Sequence, residues 1–374
     1  MNKANISTCD VVVIGGGVIG TAIAYYAAKA GRKVVLLEKD HIAAGTSGAC
    51  DGFIIMQSKN PGPHLELAMA SAALYRGLAA ELDYPIEYEP KGGMIVIENE
   101  TQAALMRDHV AKQAVSGLAV EILDSAEARR REPGLAPDLW GATYCAADAQ
   151  VNPIRLAQGF SQAARRLGAR LCPGTAATGL LTDKGRVCGV TTTAGDIYCQ
   201  YAVAAAGVWT PDLVRPLGLD LPIKPRRGQI LVTEPLPLTV RHVLLCACYL
   251  VAKYRPQDLD PAERHNRLGV GLALEQTADG GLLIGSTREF AGFDRATTLA
   301  GLEAVAAHAR RILPALAGVN VIRAFAGLRP YTPDGLPILG PAAGIPGLII
   351  AAGHEGDGIA LAPITGQRIA ACLQ

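Results

Sequence analysis

The stretch that decides the fold runs from residue 10 to residue 38 and reads DVVVIGGGVIGTAIAYYAAKAGRKVVLLE. Its β-branched start, residues 10–14, predicts a buried parallel strand. The alanine-rich segment 18–30 predicts a helix, and Gly31 stands where helices usually end. Residues 33–37 predict a second strand. Together these elements predict a β-α-β unit, the building block of parallel sheets.

A glycine fingerprint links the first strand to the helix. Gly15, Gly17 and Gly20 fit the pattern G-x-G-x-x-G. The first glycine allows a tight turn, the second lets backbone amides approach a pyrophosphate, and the third lets the helix pack on the strand. Glu38 follows the second strand, where a carboxylate binds ribose hydroxyls and repels a 2′-phosphate. The unit predicts a site for NAD or FAD rather than NADP; the alternative is a flexible turn beside a surface glutamate.

The composition excludes several classes of protein. The chain has 374 residues, half of them hydrophobic, which is enough for two lobes with a sizeable core. Its 35 Lys and Arg residues against 34 Asp and Glu residues give a net charge of +1, which predicts no surface for nucleic acid. The apolar stretch 11–23 is broken by glycines and is too short to cross a membrane, so we expect no membrane span.

The cysteines indicate the compartment. Nine cysteines at scattered positions, an odd number, favour a reducing environment. Since the first ten residues also lack a long apolar stretch, we expect a cytoplasmic protein, with peripheral attachment at the inner membrane through partner subunits as the alternative. Cys246 and Cys248 lie two positions apart, but no second ligand pair follows at metal-binding spacing, so we expect no metal site.

The remaining elements alternate along the chain without an internal repeat or a long linker. Two domains are therefore expected to be woven together. The pattern predicts helices at 64–82, 101–116, 125–131, 153–167, 302–312 and 359–373, and strands at 93–97, 187–193, 196–199, 202–206, 229–233, 282–285 and 348–352.

Four later segments carry a resemblance to a known family. They read GTSGACDG at 45–52, VAAAGVW at 203–209, AGLRPYTPDGLP at 326–337 and GHEGDGI at 353–359. In this order they resemble the FAD-dependent D-amino-acid oxidase (DAO) family, which includes glycine oxidase, sarcosine oxidase and D-amino-acid dehydrogenases. Residues 57–64 (QSKNPGPH) and 353–359 look similar to the flavin β subunits of heteromeric opine oxidase, hydroxyproline or proline dehydrogenase and hydrogen cyanide synthase.

The resemblance implies an α/β (α+β) fold, in which a Rossmann-type FAD-binding domain is interleaved with a mixed-sheet substrate domain, as in glycine oxidase. It assigns 1–82, 146–218 and 325–374 to the FAD-binding domain, and 83–145 and 219–324 to the substrate-binding domain. It also implies a set of cofactor-binding residues, namely Gly15, Gly17, Val18, Ile19, Gly20, Glu38, Lys39, Thr46, Ser47, Gly48, Ala177, Ala206, Gly207, Trp209, Gly353, Glu355, Gly356, Asp357, Gly358 and Ile359.

Three residues are candidates for catalysis. Arg329 matches the family arginine that holds the substrate carboxylate, which a planar guanidinium binds through two parallel hydrogen bonds; the alternative is a solvated arginine or a pair with Asp334. Asp51 would contact the substrate amine or a water, with a helix N-cap as the equal alternative. His354 lies in a glycine-rich loop expected beside the flavin, where a structural role is the equal alternative, and His64 is a similar, weaker candidate.

The resemblance implies oxidation of the C–N bond of an amino acid or secondary-amine amino acid, such as an opine, a proline derivative or glycine. A neutral amine passes a hydride from its α-carbon to flavin N5, and the protein supplies orientation, desolvation and charge. Some relatives tether the flavin through a cysteine in the segment matching 326–332. This chain has no cysteine there, so we expect noncovalent FAD.

The similarity to β subunits implies partners. We expect a heteromeric dehydrogenase in which a larger subunit carries further redox cofactors, such as iron–sulfur clusters, FMN or a NAD-linked group. A stand-alone glycine or D-amino-acid oxidase that uses oxygen is one alternative. An NAD-binding Rossmann protein or a non-catalytic FAD scaffold is another.

Overall fold

A computed structural model describes residues 8–254 and 264–373 of the chain. Its strands are β1 (Thr8–Ile14), β2 (Val34–Glu38), β3 (Phe53–Ile54), β4 (Gly93–Ile97), β5 (Glu121–Asp124), β6 (Gly141–Cys145), β7 (Ala149–Gln150), β8 (Arg170–Pro173), β9 (Ala177–Asp183), β10 (Arg186–Thr192), β11 (Gly195–Ala204), β12 (Lys224–Thr233), β13 (Val243–Cys246), β14 (Ala273–Gln276), β15 (Leu282–Gly285), β16 (Val321–Tyr331), β17 (Ile338–Pro341) and β18 (Leu348–Ala352). Its helices are α1 (Val18–Lys29), α2 (Pro63–Leu82), α3 (Glu100–Val115), α4 (Ser125–Arg131), α5 (Pro153–Arg166), α6 (Thr210–Val214), α7 (Ala247–Tyr254), α8 (Arg264–Arg267), α9 (Leu299–Ile312) and α10 (Gly358–Ala371).

The predicted β-α-β unit forms the centre of the first sheet. β1 pairs in parallel with β2 and β11, and the strand order is β17-β18-β11-β1-β2-β8, with β9 and β10 attached beside β11. Val11 and Val13 face a core shared with α1, α5 and α10, whereas Val12 and Ile14 face a second core on the other side. Because both faces are covered there, residues 11–14 of the strand are all apolar and lack the alternation of a half-exposed strand.

The second sheet has the order β16-β12-β15-β14-β13-β4-β6-β5. Its pairings are antiparallel except that of β13 with β4, so the sheet is mixed. Its buried face packs against α3, α7 and α9 around one hydrophobic core. The expected α/β fold with two sheets is therefore confirmed.

Several elements differ from the sequence prediction, two of them for a clear local reason. The strands predicted at 196–199 and 202–206 are one strand, β11, because its first half pairs with β10 while its second half pairs with β18. Helix α9 begins at Leu299 rather than at residue 302, because the Thr298 hydroxyl accepts a hydrogen bond from the Gly301 amide (3.1 Å) and caps the helix there.

β16 crosses the predicted domain boundary at residue 325. This strand pairs with β12 from Val321 to Tyr331, so the chain leaves the second sheet only after Tyr331. The first three residues of β16 are exposed and residues 326–330 are buried. The strand therefore lacks the alternation of exposed and buried residues by which a strand can be recognised in a sequence. The other predicted boundaries stay predictions.

Within the described part of the chain, no helix combines the length and the hydropathy that a membrane span requires.

Candidate functional site

A cavity of about 450 Å³ lies between the two sheets, at the carboxyl ends of the parallel strands. This edge is where open α/β sheets bind ligands. The three predicted catalytic residues and most of the predicted cofactor residues line it: Arg329, Asp51, His354, Gly15, Gly17, Val18, Ile19, Glu38, Lys39, Thr46, Ser47, Ala177, Ala206, Gly207, Trp209, Gly353, Glu355, Gly356, Asp357, Gly358 and Ile359.

Gly20 and Gly48 do not line the cavity, although the sequence placed them at the cofactor. A Cβ on Gly20 would overlap the carbonyl oxygen of Gly15, and a Cβ on Gly48 would overlap that of Ala43. Both glycines are therefore required for close backbone packing next to the site, and any effect on a ligand is indirect.

The N-terminus of α1 opens into the cavity. Its N-cap residue, Gly17, has no side chain to satisfy the first amides, and Ser47 Oγ reaches across to accept a hydrogen bond from the Val18 amide (3.0 Å). A Cβ on Gly17 would lie 3.2 Å from that hydroxyl, so this wall has little room for a larger residue. Uncapped amides at a helix start attract anions.

One end of the cavity is organised by Glu38. Its carboxylate accepts hydrogen bonds from the amides of Gly16 (2.7 Å) and Asp40 (2.9 Å), which fixes the carboxylate at the end of β2. A carboxylate has about four acceptor positions, so two remain for ligand hydroxyls. Next to it the Lys39 ammonium lies 3.9 Å from the centre of the Trp209 ring, and this cation–π contact forms a side wall.

At the other end, residues Gly353–Gly358, here called the glycine loop, connect β18 to α10. Asp357 forms ion pairs with Lys59 (2.6 Å) and Lys253 (2.7 Å), and it shares a hydrogen bond with His64 Nε2 (3.1 Å). These side chains are almost fully buried. The Asp357 carboxylate, predicted to face the cofactor, therefore binds other protein groups and holds the loop in place.

Glu355 has a similar role in the glycine loop. Its carboxylate pairs with Arg226 and lies 3.6 Å from Lys253 Nζ. Burial opposes ionisation, but Lys253, Arg226 and Arg329 outweigh it and hold the pKa of Glu355 well below its usual value. Glu355 thus stays charged. The helix α10 that follows the loop has no side-chain cap, so its first amides are open to the cavity.

His354 is buried and electrically neutral near pH 7. Its Nε2 shares a hydrogen bond with the Thr365 hydroxyl of α10 (3.1 Å). Burial lowers the pKa of His354 to about 4, although Asp357 opposes the shift. This geometry favours a structural role, because the ring nitrogen that is engaged with α10 cannot also exchange protons with a ligand.

Arg329 lies on β16 with its guanidinium at the cavity wall. Its Nη1 donates to the Thr287 carbonyl (3.1 Å) and its Nη2 donates to the Ser286 hydroxyl. A Cβ on Gly228, in the neighbouring strand β12, would overlap the guanidinium, so this glycine makes the space in which Arg329 lies. Among the described residues no carboxylate comes within 4.0 Å of Arg329, and the alternative pairing with Asp334 does not occur.

Asp51 faces the cavity close to a second buried carboxyl group that sequence reading missed. Glu275, on β14, accepts a hydrogen bond from the Gly52 amide (2.9 Å), and its other oxygen has no partner in the described structure. Burial raises the pKa of Glu275 to about 8, and the nearby Asp51 adds to the rise. Burial raises the pKa of Asp51 as well, against the pull of Arg329. The two carboxyls form a coupled pair that holds a proton near neutral pH.

A cysteine not considered from the sequence, Cys50, also lines the cavity. Burial raises the pKa of its thiol well above the usual value, and Asp51 adds to this. Because the thiolate is the reactive form, Cys50 is a poor nucleophile, and its presence does not change the expectation of a noncovalent cofactor.

Cys246 and Cys248 have a neighbour that their spacing did not reveal. The two residues form a disulfide, and both sulfur atoms lie within 4.8 Å of a ring nitrogen of His308. Spacing along the sequence could not reveal His308, which comes from α9. Sulfur atoms in a disulfide have no thiolate with which to bind a metal ion. The disulfide joins the end of β13 to the start of α7.

The comparisons with known proteins agree with this geometry. Residues 10–372 match the family model described as DAO, FAD dependent oxidoreductase. The hydrogen cyanide synthase subunit HcnC of Pseudomonas aeruginosa is 33% identical over 96% of this chain and 91% of that protein.

Two solved structures share the fold. Glycine oxidase from Geobacillus kaustophilus has a TM-score of 0.88 and 29% identity, over 98% of this chain and 95% of that one. L-proline dehydrogenase from P. horikoshii has a TM-score of 0.87 and 25% identity, over 97% of this chain and 92% of that one. The match to the family makes FAD the cofactor, and the alternative of NAD is set aside.

The residues of this chain fit FAD. The cavity extends from Glu38, suited to ribose hydroxyls, past the open start of α1, suited to a pyrophosphate, to the glycine loop and the open start of α10. The second helix start lies where positive potential would favour the electron-rich edge of a flavin. Gly17 leaves the space that a pyrophosphate needs beside Ser47.

Replacing Gly17 should remove the cofactor. We expect Gly17→Val to lose FAD because the added side chain fills the space beside Ser47 Oγ, whereas Gly179→Val should keep it. Gly179 lies in β9 of the same sheet, and a Cβ there would have no atom within 4 Å. The measurement is FAD per chain from the visible spectrum of the purified proteins.

The same samples test the form of attachment. Acid precipitation of the wild-type protein should leave the yellow colour in the supernatant, and a yellow pellet would show a covalent link. A Gly17→Val protein that carries a full equivalent of FAD would contradict the assignment of the phosphate position.

Proposed function

The chain belongs to the DAO family of FAD-dependent oxidoreductases, and from this premise we propose that it oxidises amino-acid C–N bonds as the catalytic flavin subunit of a heteromeric dehydrogenase. Its substrate is an amino acid or a secondary-amine amino acid, in the range of opines, proline derivatives and glycine. The oxidase that uses oxygen and works alone remains the alternative, because the chain also resembles glycine oxidase over nearly its whole length.

The observation that carries the proposal is the placement of Arg329. Its guanidinium lies at the cavity wall, 9% exposed, with no carboxylate partner within 4.0 Å among the described residues. Hydrogen bonds to Ser286 and Thr287 fix its plane and leave other N–H groups free. A guanidinium held in this way can bind a substrate carboxylate through two hydrogen bonds and so position the α-carbon.

Asp51 is suited to act on the substrate amino group. Free amino acids carry an ammonium group, which must lose a proton before the C–N bond can be oxidised. A carboxylate oxygen of Asp51, in the same cavity as Arg329, would accept that proton, and Glu275 behind it would share the charge. When bound, FAD supplies the acceptor for the hydride that leaves the α-carbon.

His354 and the two acids of the glycine loop support the site without contacting the reacting atoms. Asp357 and Glu355 are held by lysine and arginine side chains, and His354 is bound to Thr365. We assign to these residues the role of positioning the glycine loop, whose backbone would contact the flavin. The predicted catalytic set thereby reduces to Arg329 and Asp51.

A partner subunit is favoured by two observations. The relative HcnC is by name a subunit of a larger enzyme. Large apolar side chains that are more than 45% exposed also lie at both ends of the outer strand β16. Val321 and Ile322 begin the strand, and Phe290, whose ring contacts Tyr331 at its end, lies three positions before Phe293. Exposed apolar groups of this kind are typical of protein interfaces. We propose that a larger subunit with iron–sulfur, FMN or NAD-linked carriers docks here and receives the electrons.

The substrate class can be tested without knowing the partner. Anaerobic addition of the correct amino acid to the holoprotein should bleach the visible flavin absorbance, and a panel of glycine, sarcosine, proline and opines would identify the best substrate. A protein that binds FAD but is bleached by none of these would favour the non-catalytic scaffold.

Removing the Arg329 guanidinium should reduce activity without loss of FAD. We expect Arg329→Ala to lower kcat/KM by about 2–5 kcal/mol of transition-state stabilisation, because a buried charge contact to the substrate is lost. Arg329→Lys should recover only part of this loss. Gly228→Ala should have a similar, smaller effect because its methyl group displaces the guanidinium, whereas Gly179→Ala should not.

The control for Arg329 is a substrate that lacks the carboxylate. Matched amines without a carboxylate should be poor substrates of the wild type and should lose little more in Arg329→Ala. Equal losses on both kinds of substrate would mean that Arg329 supports the fold or the flavin.

The pH dependence should report the carboxyl pair. Because only the deprotonated pair accepts a proton, kcat/KM should rise with pH as the pair ionises, toward the value of about 8 for Glu275. Glu275→Gln removes the group whose pKa burial raises to about 8, so the rising limb should move to lower pH, by about one unit or more. Glu234→Gln, at a carboxylate that follows β12 and accepts hydrogen bonds from Asn320, should leave the limb in place. An unchanged limb in Glu275→Gln would exclude the pair as the proton acceptor.

The electron acceptor distinguishes the two candidate functions. The tagged chain from its native cells should copurify with a second polypeptide that contains iron, in a fixed ratio to FAD. The isolated chain, once reduced by substrate, should transfer electrons to a dye much faster than to oxygen. Rapid turnover of the isolated monomer with oxygen alone, with stoichiometric peroxide, would identify the stand-alone oxidase instead.

A further inference from the structure

A second arginine near Arg329, Arg288, has no hydrogen-bond partner among the described residues. The side chain of Arg288 is 7% exposed, and none of its three nitrogen atoms has a partner in the described structure. Arg288 directly follows Ser286 and Thr287 in the sequence, and both of these residues bind Arg329. The guanidinium groups of Arg288 and Arg329 therefore lie in the same region of the structure. An unsatisfied, buried guanidinium is costly, and native proteins rarely keep one without a function.

The surroundings of Arg288 offer it no dedicated anion. Two carboxylates are near enough to attract Arg288, but neither is within 4.0 Å of it among the described residues. Asp51 interacts more strongly with Arg329. Glu355 is already paired with Arg226 and close to Lys253. Arg329 and Arg226 repel Arg288, and together with burial they lower its pKa. The strongest contact is a cation–π contact, with the guanidinium carbon 3.8 Å from the centre of the Tyr249 ring.

Two glycines of the neighbouring backbone leave room for the Arg288 side chain. A Cβ on Gly271 would lie 2.8 Å from Nη1 of Arg288, and a Cβ on Gly269 would lie 2.9 Å from its Cβ. Tyr249 separates the guanidinium from the cavity and itself lines the cavity wall. A ligand group that reaches past Tyr249, or a rotation of its ring, would bring an anion onto Arg288.

We propose that Arg288 binds a second carboxylate of the substrate, so that the enzyme acts on dicarboxylic amino acids or dicarboxylic secondary amines. This inference rests on the proposed function in one respect, since it takes Arg329 to hold the first carboxylate. Two neighbouring buried guanidinium groups repel each other, and a dianion that bridges them removes the repulsion and satisfies the free N–H groups. A monocarboxylate would leave Arg288 as unsatisfied as it is without a ligand.

The decisive measurement is binding to the FAD-loaded protein, followed by the change in the visible flavin spectrum. Thiodiacetate and methylthioacetate, the latter meaning the thioether CH3–S–CH2–COO−, differ only in the second carboxylate. Neither contains an oxidisable amine. Wild type should bind thiodiacetate at least about 10-fold more tightly than methylthioacetate, since a charge-assisted contact of this kind is worth about one such factor or more. Arg288→Met should remove this difference and leave the Kd of methylthioacetate nearly unchanged.

Two variants control for other effects. Arg288→Lys should keep part of the preference for the dianion, because it keeps the charge without the fork. Arg323→Met removes an exposed arginine from β16 and should leave both Kd values unchanged. Equal wild-type affinity for the two ligands, or an equal loss of both in Arg288→Met, would overturn the proposal and make Arg288 a structural residue. The wild-type comparison decides the matter even if Arg288→Met does not fold.

Turnover separates this inference from the proposed function. Iminodiacetate and sarcosine are the corresponding amines, with and without the second carboxylate, and kcat/KM should favour iminodiacetate in the wild type but not in Arg288→Met. If neither amine is oxidised while thiodiacetate still binds more tightly than methylthioacetate, the proposed reaction fails and the dianion site stands. If both amines are oxidised at equal efficiency and the thioethers bind equally, the reaction stands and the dianion site fails.

Discussion

The site depends on the burial of Asp357 among Lys59, Lys253 and His64. These groups come from three different parts of the chain. Lys59 and His64 lie after β3 and at the start of α2, Lys253 lies on α7 beside the second sheet, and Asp357 directly precedes α10, which packs on the first sheet. Charges removed from water are stable only when they are closely paired, so none of these segments can move away without exposing an uncompensated charge. The cluster therefore fixes the second sheet against the first at the position where the flavin is held.

Fixing the glycine loop in this way has a consequence for its chemistry. Since Asp357 and Glu355 are neutralised by lysines and an arginine, the loop presents to the cavity its backbone amides and the positive end of α10 rather than two carboxylates. Negative side chains facing the flavin would oppose its reduction. The loop therefore contains acidic residues whose charges are neutralised by basic side chains of the protein.

The parts of the site that the sequence predicts are those determined locally. The turn at Gly15, the helix start at Val18 and the carboxylate at Glu38 belong to one β-α-β unit, and their roles follow from their order along 29 residues. Glu275 and Arg288 could not be found in this way. Each lies in an ordinary strand-like segment, and it acquires its role only when sheet pairing brings β14 behind Asp51 and places residue 287 beneath Arg329. Similarly, the charged residues of the glycine loop resembled ligands of the cofactor because their lysine partners are far away in sequence.

The charges around the substrate end form a consistent pattern when considered together. Among the described residues Arg329 and Arg288 are buried without a carboxylate within 4.0 Å, while burial raises the pKa of Asp51 and that of Glu275 behind it. The Arg288 guanidinium and the two carboxyl groups are each costly to bury, and the attraction of Arg329 and Arg288 offsets only part of this cost for Asp51. A substrate with carboxylates at one side and an ammonium group at the other complements both sets of side chains. Its carboxylates pair with the arginines, and its positive charge stabilises the ionised form of the acids. The site is thus complementary to a substrate of that charge distribution, and neutral amines or simple acids match only half of it.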